Sequence, residues 1–437
     1  MSKKNKKKLF KPTPLLLPAI LLLIFDFLSC ASVSQPERHI PADYAGIVHA
    51  GSTRTPQEFN YVKTLGMRWT LHTFNWSIIE AEPGLWDFEY YEDLVDMAEE
   101  AEIKIIGILA YENLNVQANK YSQRYIPPHE IPLFLEYVRR TVTHFRGRVD
   151  AWCIWNEPNT KNFWKGTDAE FYELTRLTAD VVRKADSNVL LIGGAVNRGI
   201  FGLQKNFING LFSSGSMDNV DGVAFHPYEL NPSRTARLYD NFQKLVKPWG
   251  FENKIWITEA GYPTGGLYPT KVPEKKFHSY VIKTFTLLAV RNARMFLWFQ
   301  LFDPVDRNPA NSEDFFGLVR SREDYTSKGA QAFRLCATYI SGARLNTRDL
   351  RCENLPSSLN AYYFCGDDTN ALVLWNNSLS SIKIKASLPG ANHIMHNTVT
   401  GGAAAIQTAA DIEIRAGSDP VFITWQAGSA QTVVLKR

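Results

Sequence analysis

From Tyr44 to about Leu335, short apolar runs alternate with amphipathic segments. Strand-like runs fall at 45–49, 67–71, 104–110, 151–156, 189–193, 222–226, 254–259 and 295–299. Most lack strict polar–apolar alternation, as expected for strands buried on both faces. Helix-like segments lie between them, at 90–102, 132–145, 168–185 and 275–291. Eight strands interleaved with helices over roughly 290 residues match a (β/α)8 TIM barrel. A doubly wound open sheet is the main alternative from alternation alone. No glycine-rich phosphate loop follows the first strand, which weakens that alternative.

After about Gly342 the helical period fades. Short β-prone stretches appear at 361–364, 371–375, 382–386, 413–415, 421–424 and 432–435, separated by turn clusters such as Gly366-Asp367-Asp368. This pattern predicts a small antiparallel β-sandwich. The expected organisation is a signal peptide (1–29), a tether (30–43), the barrel (44–340) and the β-sandwich domain (341–437). The connection near Ser341-Gly342 is short and unlike a linker, so the sandwich reads as a support packed on the barrel.

The net charge of +4 is unevenly spread. The first 29 residues carry six Lys against Asp26, or +5, which leaves −1 for the rest. A near-neutral body has no electrostatic footprint for nucleic acid. The basic start, the apolar run from Leu15 to Leu28 and the small Ser29 have the order of a secretory signal. Leu28-Ser29-Cys30 resembles a bacterial lipobox, which implies acylation of Cys30 and a lipid anchor in the cell envelope. Plain secretion and an uncleaved anchor are the other readings. Of the remaining cysteines, Cys153 reads as a core thiol. Cys352 and Cys365 are close enough in sequence to pair, with Cys336 as competitor. No CxxC or His-rich spacing suggests a metal, and the chemistry below needs no cofactor.

Two strings carry that chemistry: Ile154-Trp155-Asn156-Glu157-Pro158-Asn159 and Trp256-Ile257-Thr258-Glu259-Ala260-Gly261-Tyr262. Each is an apolar strand ending in a glutamate and breaking into a turn. In a barrel, active groups sit at the C-terminal ends of strands. Two carboxylates delivered there suit cleavage of a glycosidic bond: one protonates the leaving oxygen, the other attacks or stabilises the sugar carbon. Asn156 could donate to a sugar hydroxyl. His226-Pro227-Tyr228 puts a donor and a phenol at the same rim, and Trp298 could offer a flat face to a sugar ring. Trp76, Trp164 and His49 are further rim candidates, and Asn113 follows the third strand.

These points resemble clan A of the retaining glycoside hydrolases. They are Trp155-Asn156-Glu157-Pro158-Asn159, Ile257-Thr258-Glu259, Trp298, and the stretch from Asn75-Trp76-Ser77 to Trp86-Asp87-Phe88. A barrel followed by a β-sandwich looks most like glycoside hydrolase family 39, the family of β-xylosidases and α-L-iduronidases. The resemblance implies Glu157 as acid/base and Glu259 as nucleophile. Many clan members place an Arg late on strand two, near the nucleophile. Here that position falls on Leu71, and His72 is the next polar candidate to take its place.

The expected function is hydrolysis of O-glycosidic bonds in a β-linked oligo- or polysaccharide, by double displacement through a glycosyl-enzyme. The alternatives are a catalytically inactive carbohydrate-binding lipoprotein and a transglycosylase that remodels an envelope polysaccharide. Partners expected are the carbohydrate and a membrane reached through the lipid anchor.

Overall fold

The computed structural model describes residues 36–49, 55–118, 124–198, 202–267, 271–320, 326–388, 391, 394–397, 403–406, 411–427 and 432–437. The expected signal peptide and Cys30 lie outside the described residues. Among those residues, no helix is long and apolar enough to cross a membrane.

Eight parallel strands close into a barrel: β1 (Ala45–Val48), β2 (Trp69–Asn75), β3 (Lys104–Ala110), β4 (Ala151–Ile154), β5 (Leu190–Asn197), β6 (Gly222–His226), β7 (Ile255–Ala260) and β8 (Met295–Trp298). β1 pairs with β8 through Ala45–Phe296 and closes the ring. Every residue of β1, β4, β6 and β8 is buried, which accounts for their continuous apolar character. The barrel reading therefore holds, and the open sheet does not.

The helices Glu89–Glu100, Ile131–His144, Asp168–Ala185 and Glu274–Ala289 lie where the period placed them. Asp168–Ala185 begins at a capping box. Thr167 accepts from the Glu170 N–H, and the Glu170 carboxylate accepts from the Thr167 N–H. The helix Lys205–Ser213 lies between β5 and β6, outside the helix-like segments of the sequence. Its Gly210 weakens the helical signal, yet a Cβ there would meet the Tyr172 ring at 2.4–2.8 Å. Glycine lets the two helices approach, and the Tyr172 hydroxyl donates to the Phe207 carbonyl.

β2 and β5 run further than their apolar runs predict. β2 continues to Asn75 because β3 pairs with it over seven residues, up to Asn75–Ala110. β5 continues through a bulge: its pairing with β6 shifts between Gly193 and Val196, where Gly194 (φ 88) and Ala195 (φ 34) turn left-handed. The strand then resumes, and Asn197 lies beside His226.

Two sheets follow the barrel. The larger has the order Arg38–His39, β9 (Arg344–Leu345), β11 (Leu359–Cys365), β12 (Thr369–Asn376), β17 (Val421–Gln426), β14 (Ile394–Asn397) and β15 (Ala403–Ile406). The smaller has the order β10 (Leu350–Glu353), β18 (Val433–Lys436), β13 (Ile382–Ser387) and β16 (Asp411–Ala416). All these pairings are antiparallel except β10 with β18. Arg38–His39 falls inside the expected tether but is a strand of the sandwich sheet. Cys153, Cys336 and Cys365 are free thiols.

The period-two geometry of β11, β12 and β17 joins the sandwich to the barrel. Tyr363, Leu372, Leu374 and Ile423 face the smaller sheet. Their alternates Tyr362, Phe364, Ala371, Val373, Trp375 and Phe422 join the barrel's own core. Phe422 meets Tyr339 of the helix Lys328–Tyr339, with ring centroids 5.8 Å apart. The larger sheet is thus a shared middle layer. Phe422→Ala is expected to cost about 3–5 kcal/mol, and denaturant unfolding should follow one transition for barrel and sandwich together. A barrel transition left in place by Phe422→Ala would contradict this coupling.

Candidate active site

The turn after β4 delivers the first carboxylate. Trp155 (φ 62) and Glu157 (φ 44) are both left-handed, so the chain bends sharply at the rim. The bend is held from several sides. The Trp155 indole donates to the Phe163 carbonyl (2.7 Å), and the Glu157 N–H donates to the Ala195 carbonyl in the β5 bulge (3.0 Å). The second carboxylate sits on β7, whose pairing with β8 shifts between Ile257 and Ala260, around Glu259 itself. Bulges re-aim side chains at strand ends, and here one lies on each side of the site.

His226, at the end of β6 and 1% exposed, stands between the acids. Its Nδ1 is 2.8 Å from Glu157 Oε1 and 3.7 Å from Glu259 Oε2. Its Nε2 is 2.9 Å from Thr258 Oγ1. The two carboxylates and the imidazole each place one ligating atom within 4.8 Å of the others. Among the described residues this is the only such trio of His, Cys, Asp and Glu able to grip a metal ion. In this structure those atoms are engaged with one another. Tyr228 donates its hydroxyl to Glu259 Oε2 (2.9 Å), and Asn197 Nδ2 donates to Glu157 Oε1 (2.6 Å).

Burial raises the Glu259 carboxyl above its usual range. His226 opposes that rise, the charge of Glu157 adds to it, and the Tyr228 donation pulls it back. Burial alone would depress His226, but Glu259 and Glu157 outweigh it and leave the imidazole raised. Burial, then the charges of Glu259 and Glu157, push Tyr228 far up, so its hydroxyl keeps its proton and remains a donor. Cys153, beneath Trp155, is pushed up to about 12 by burial and the charge of Glu259, and is an inert thiol.

The structure brings together Glu157, Glu259, Asn156, His226 and Tyr228, and revises several roles. Both ring nitrogens of His226 are engaged inside the protein, so it serves the carboxylates rather than a sugar hydroxyl. Tyr228 likewise serves Glu259. Trp298 does not face the site. It is fully buried against Tyr262 and Phe277, and its indole donates to the Phe316 carbonyl (3.0 Å). The chain turns the next residue toward the site instead: Phe299 lies edge-on to Tyr228, Phe316 and His49. Trp76 and Trp164 are core residues as well, and Asn113 is spent on the carbonyls of Trp76 and Glu80. His72 meets Thr70 Oγ1 (3.0 Å) and the edge of His49. Among the described residues, the ion-pair partner of Glu259 is His226, not His72. Leu71 is simply a core residue.

Four participants were missed in the sequence. Asn197 hides behind the Gly193-Gly194 bulge, which reads as a strand end. Asn159 belongs to the Asn-Glu-Pro-Asn string, the one available signal. Tyr111, just beyond β3, lies beside Asn156 and feels the charges of both glutamates, with Arg124 stacked 3.6 Å over its ring. Glu313 adds a third negative charge near Glu259 and Tyr228. Asn156 Oδ1 is buried without a hydrogen-bond partner among the described residues.

Comparison with known proteins agrees with this architecture. No family model matches the chain. It is 23% identical over 272 residues to endo-1,4-beta-xylanase B of Thermotoga neapolitana, covering 57% of this chain and 77% of that one. A family 39 glycoside hydrolase from Bacteroides cellulosilyticus superposes with a TM-score of 0.73 at 17% identity, over 91% of this chain and 82% of that one. A monomeric beta-xylosidase from Caulobacter crescentus superposes with a TM-score of 0.60 at 14% identity, over 90% and 97%. The chain has the fold of the family 39 glycoside hydrolases, barrel and β-sandwich together.

A carboxyl whose pKa is higher folded than unfolded costs stability wherever it is ionised, and the cost vanishes below its unfolded value. Glu259 is such a group, with an ordinary value of 4.5. Glu259→Gln is therefore expected to raise the thermal unfolding midpoint at pH 7. The gain should shrink as the pH falls through the raised pKa of Glu259. An unchanged or lower midpoint at pH 7 would contradict this.

Proposed function

We propose that the chain is a retaining glycoside hydrolase of clan A, of the family 39 type, acting on β-linked sugars of the xylan kind. One observation carries the reading. Glu157, in the turn after β4, and Glu259, on β7, have carboxylate oxygens within 4.8 Å of each other. Retaining enzymes hold their carboxyl groups about 5–5.5 Å apart, whereas inverting enzymes need about 6.5–9.5 Å to admit a water. The names of the xylanase and β-xylosidase relatives supply the sugar to test first.

In this mechanism Glu259 attacks the anomeric carbon. The bond to the leaving oxygen breaks, and Glu157 gives that oxygen its proton. Glu157 then takes a proton from water, whose oxygen displaces Glu259 from the sugar. His226 and Tyr228 hold negative charge on Glu259 before attack and receive it again on release. His226 also supplies the positive partner that Leu71 does not. Phe299 and Phe316 offer the apolar wall expected of Trp298.

The test is release of sugar from aryl β-xylosides and xylo-oligosaccharides, with the first-formed anomer read by NMR. Wild type should give the β-anomer. Glu259→Gln should abolish turnover, and Glu157→Gln should lower kcat/KM by about 10²- to 10⁴-fold on unactivated substrates. Initial release of the α-anomer would overturn retention. Binding without release by wild type would favour the inactive carbohydrate-binding protein, and transfer to a sugar acceptor in place of water would favour the transglycosylase.

The basic and apolar N-terminal run ending in Leu28-Ser29-Cys30 supports export and anchoring through an acylated Cys30. Cys30→Ala should move the protein from the membrane fraction to the soluble fraction and remove labelling by a fatty-acid analogue. Unchanged fractionation and labelling would refute the anchor.

A further inference from the structure

The donors around Glu157 converge on one of its oxygens. Oε1 accepts from Asn197 Nδ2 (2.6 Å) and faces His226 Nδ1 (2.8 Å). The second carboxylate, 3.7 Å from the same Nδ1, assigns the imidazole proton to that nitrogen. An oxygen receiving two N–H bonds is a poor seat for an acidic proton, because a proton there would oppose both donors. The proton of the acid form therefore belongs on Oε2.

His226 Nδ1 is shared between Glu157 Oε1 and the second acid, Glu259. Asn197 Nδ2 is directed at Glu157 Oε1, and the Asn197 backbone is clamped by Asn159, which is 8% exposed. The Asn197 N–H donates to Asn159 Oδ1 (3.0 Å), and Asn159 Nδ2 donates to the Asn197 carbonyl (2.7 Å). Both halves of the Asn159 amide are engaged with backbone groups of opposite character, so its orientation is determined. The clamp ties the end of β5 to the turn that carries Glu157, across the bulge at Gly194-Ala195.

We propose that Asn197, its backbone held by Asn159, is a positioning residue that places the transferable proton of Glu157 on Oε2 and so sets the geometry of leaving-group protonation. This rests on the assignment of Glu157 as acid/base. In the step concerned, the Oε2–H bond breaks and its proton goes to the glycosidic oxygen. That oxygen keeps the electron pair of the broken bond to carbon, and Glu259 supplies the new pair to that carbon. After transfer, Oε1 is already solvated by two donors, and Oε2 is free to accept a proton from water.

The test compares two leaving groups in Asn197→Ala and Asn159→Ala. A dinitrophenyl β-xyloside leaves without a proton, whereas xylobiose needs one. Asn197→Ala should lose about 10- to 100-fold in kcat/KM on xylobiose and less than about threefold on the activated glycoside. Asn159→Ala should lose in the same sense, by less. A 2-fluoro dinitrophenyl xyloside should trap Glu259 at near wild-type rate in both variants. Equal losses on both leaving groups in both variants, with wild type trapped normally, would overturn the positioning role. A wild type that is neither trapped nor active on either substrate would instead refute the hydrolase assignment itself.

Discussion

Two carboxylates buried side by side repel, and a low-dielectric interior magnifies the repulsion. This molecule meets that constraint with one imidazole. His226 reaches both acids through a single nitrogen and is braced on the other side by Thr258. Around it stand donors that accept no charge themselves: Tyr228 on Glu259, and Asn197 on Glu157. The local backbone follows from this arrangement. β5 bulges before Asn197, the pairing of β7 shifts around Glu259, and the turn after β4 takes two left-handed residues. Regular strands do not bring side chains from four neighbouring strand ends to one point.

How much of this could be read in the sequence depends on which physical signal each part leaves. Strands buried on both faces leave apolar runs, so all eight barrel strands were visible, as were the glutamates that end two of them. The misreadings share a cause. At a strand end, alternation of inward and outward side chains is decided by pairing and bulges, and a single sequence does not display either. Trp298 was therefore assigned the face that Phe299 takes. The strand-like run 189–193 stops short of Asn197, because β5 resumes only after its bulge. Trp76 and Trp164 follow strands but fold back under the rim, where a large aromatic gains more from burial than from a wet surface.

The β-sandwich shows the same dependence on layers. β11, β12, β13, β16, β17 and β18 are legible as short runs, whereas β9, β10, β14 and β15 leave no such run, and the strands of the larger sheet do not alternate cleanly. β12 is buried on both faces, as a strand in a two-layer sandwich with one wet face would not be. The reason is the barrel, which covers the second face and draws Val373, Trp375 and Phe422 into its own core. An apolar strand within a β-rich tail is thus a sequence-level sign that something large packs on the outside of the sheet.

The sheet that joins sandwich to barrel also contains Arg38–His39, paired with Leu345 and Arg344. Glu37, just before it, forms an ion pair with Arg344, 307 positions further along the chain. Barrel closure makes a similar demand, since β1 needs β8. A chain made from its N-terminus onward thus produces its earliest strands long before these partners exist. Arg38–His39 and the second edge of β1 stay open until nearly the whole barrel has been synthesised, although β1 meets β2 early. Closure of this fold is therefore a late step, because it joins the two ends of the chain.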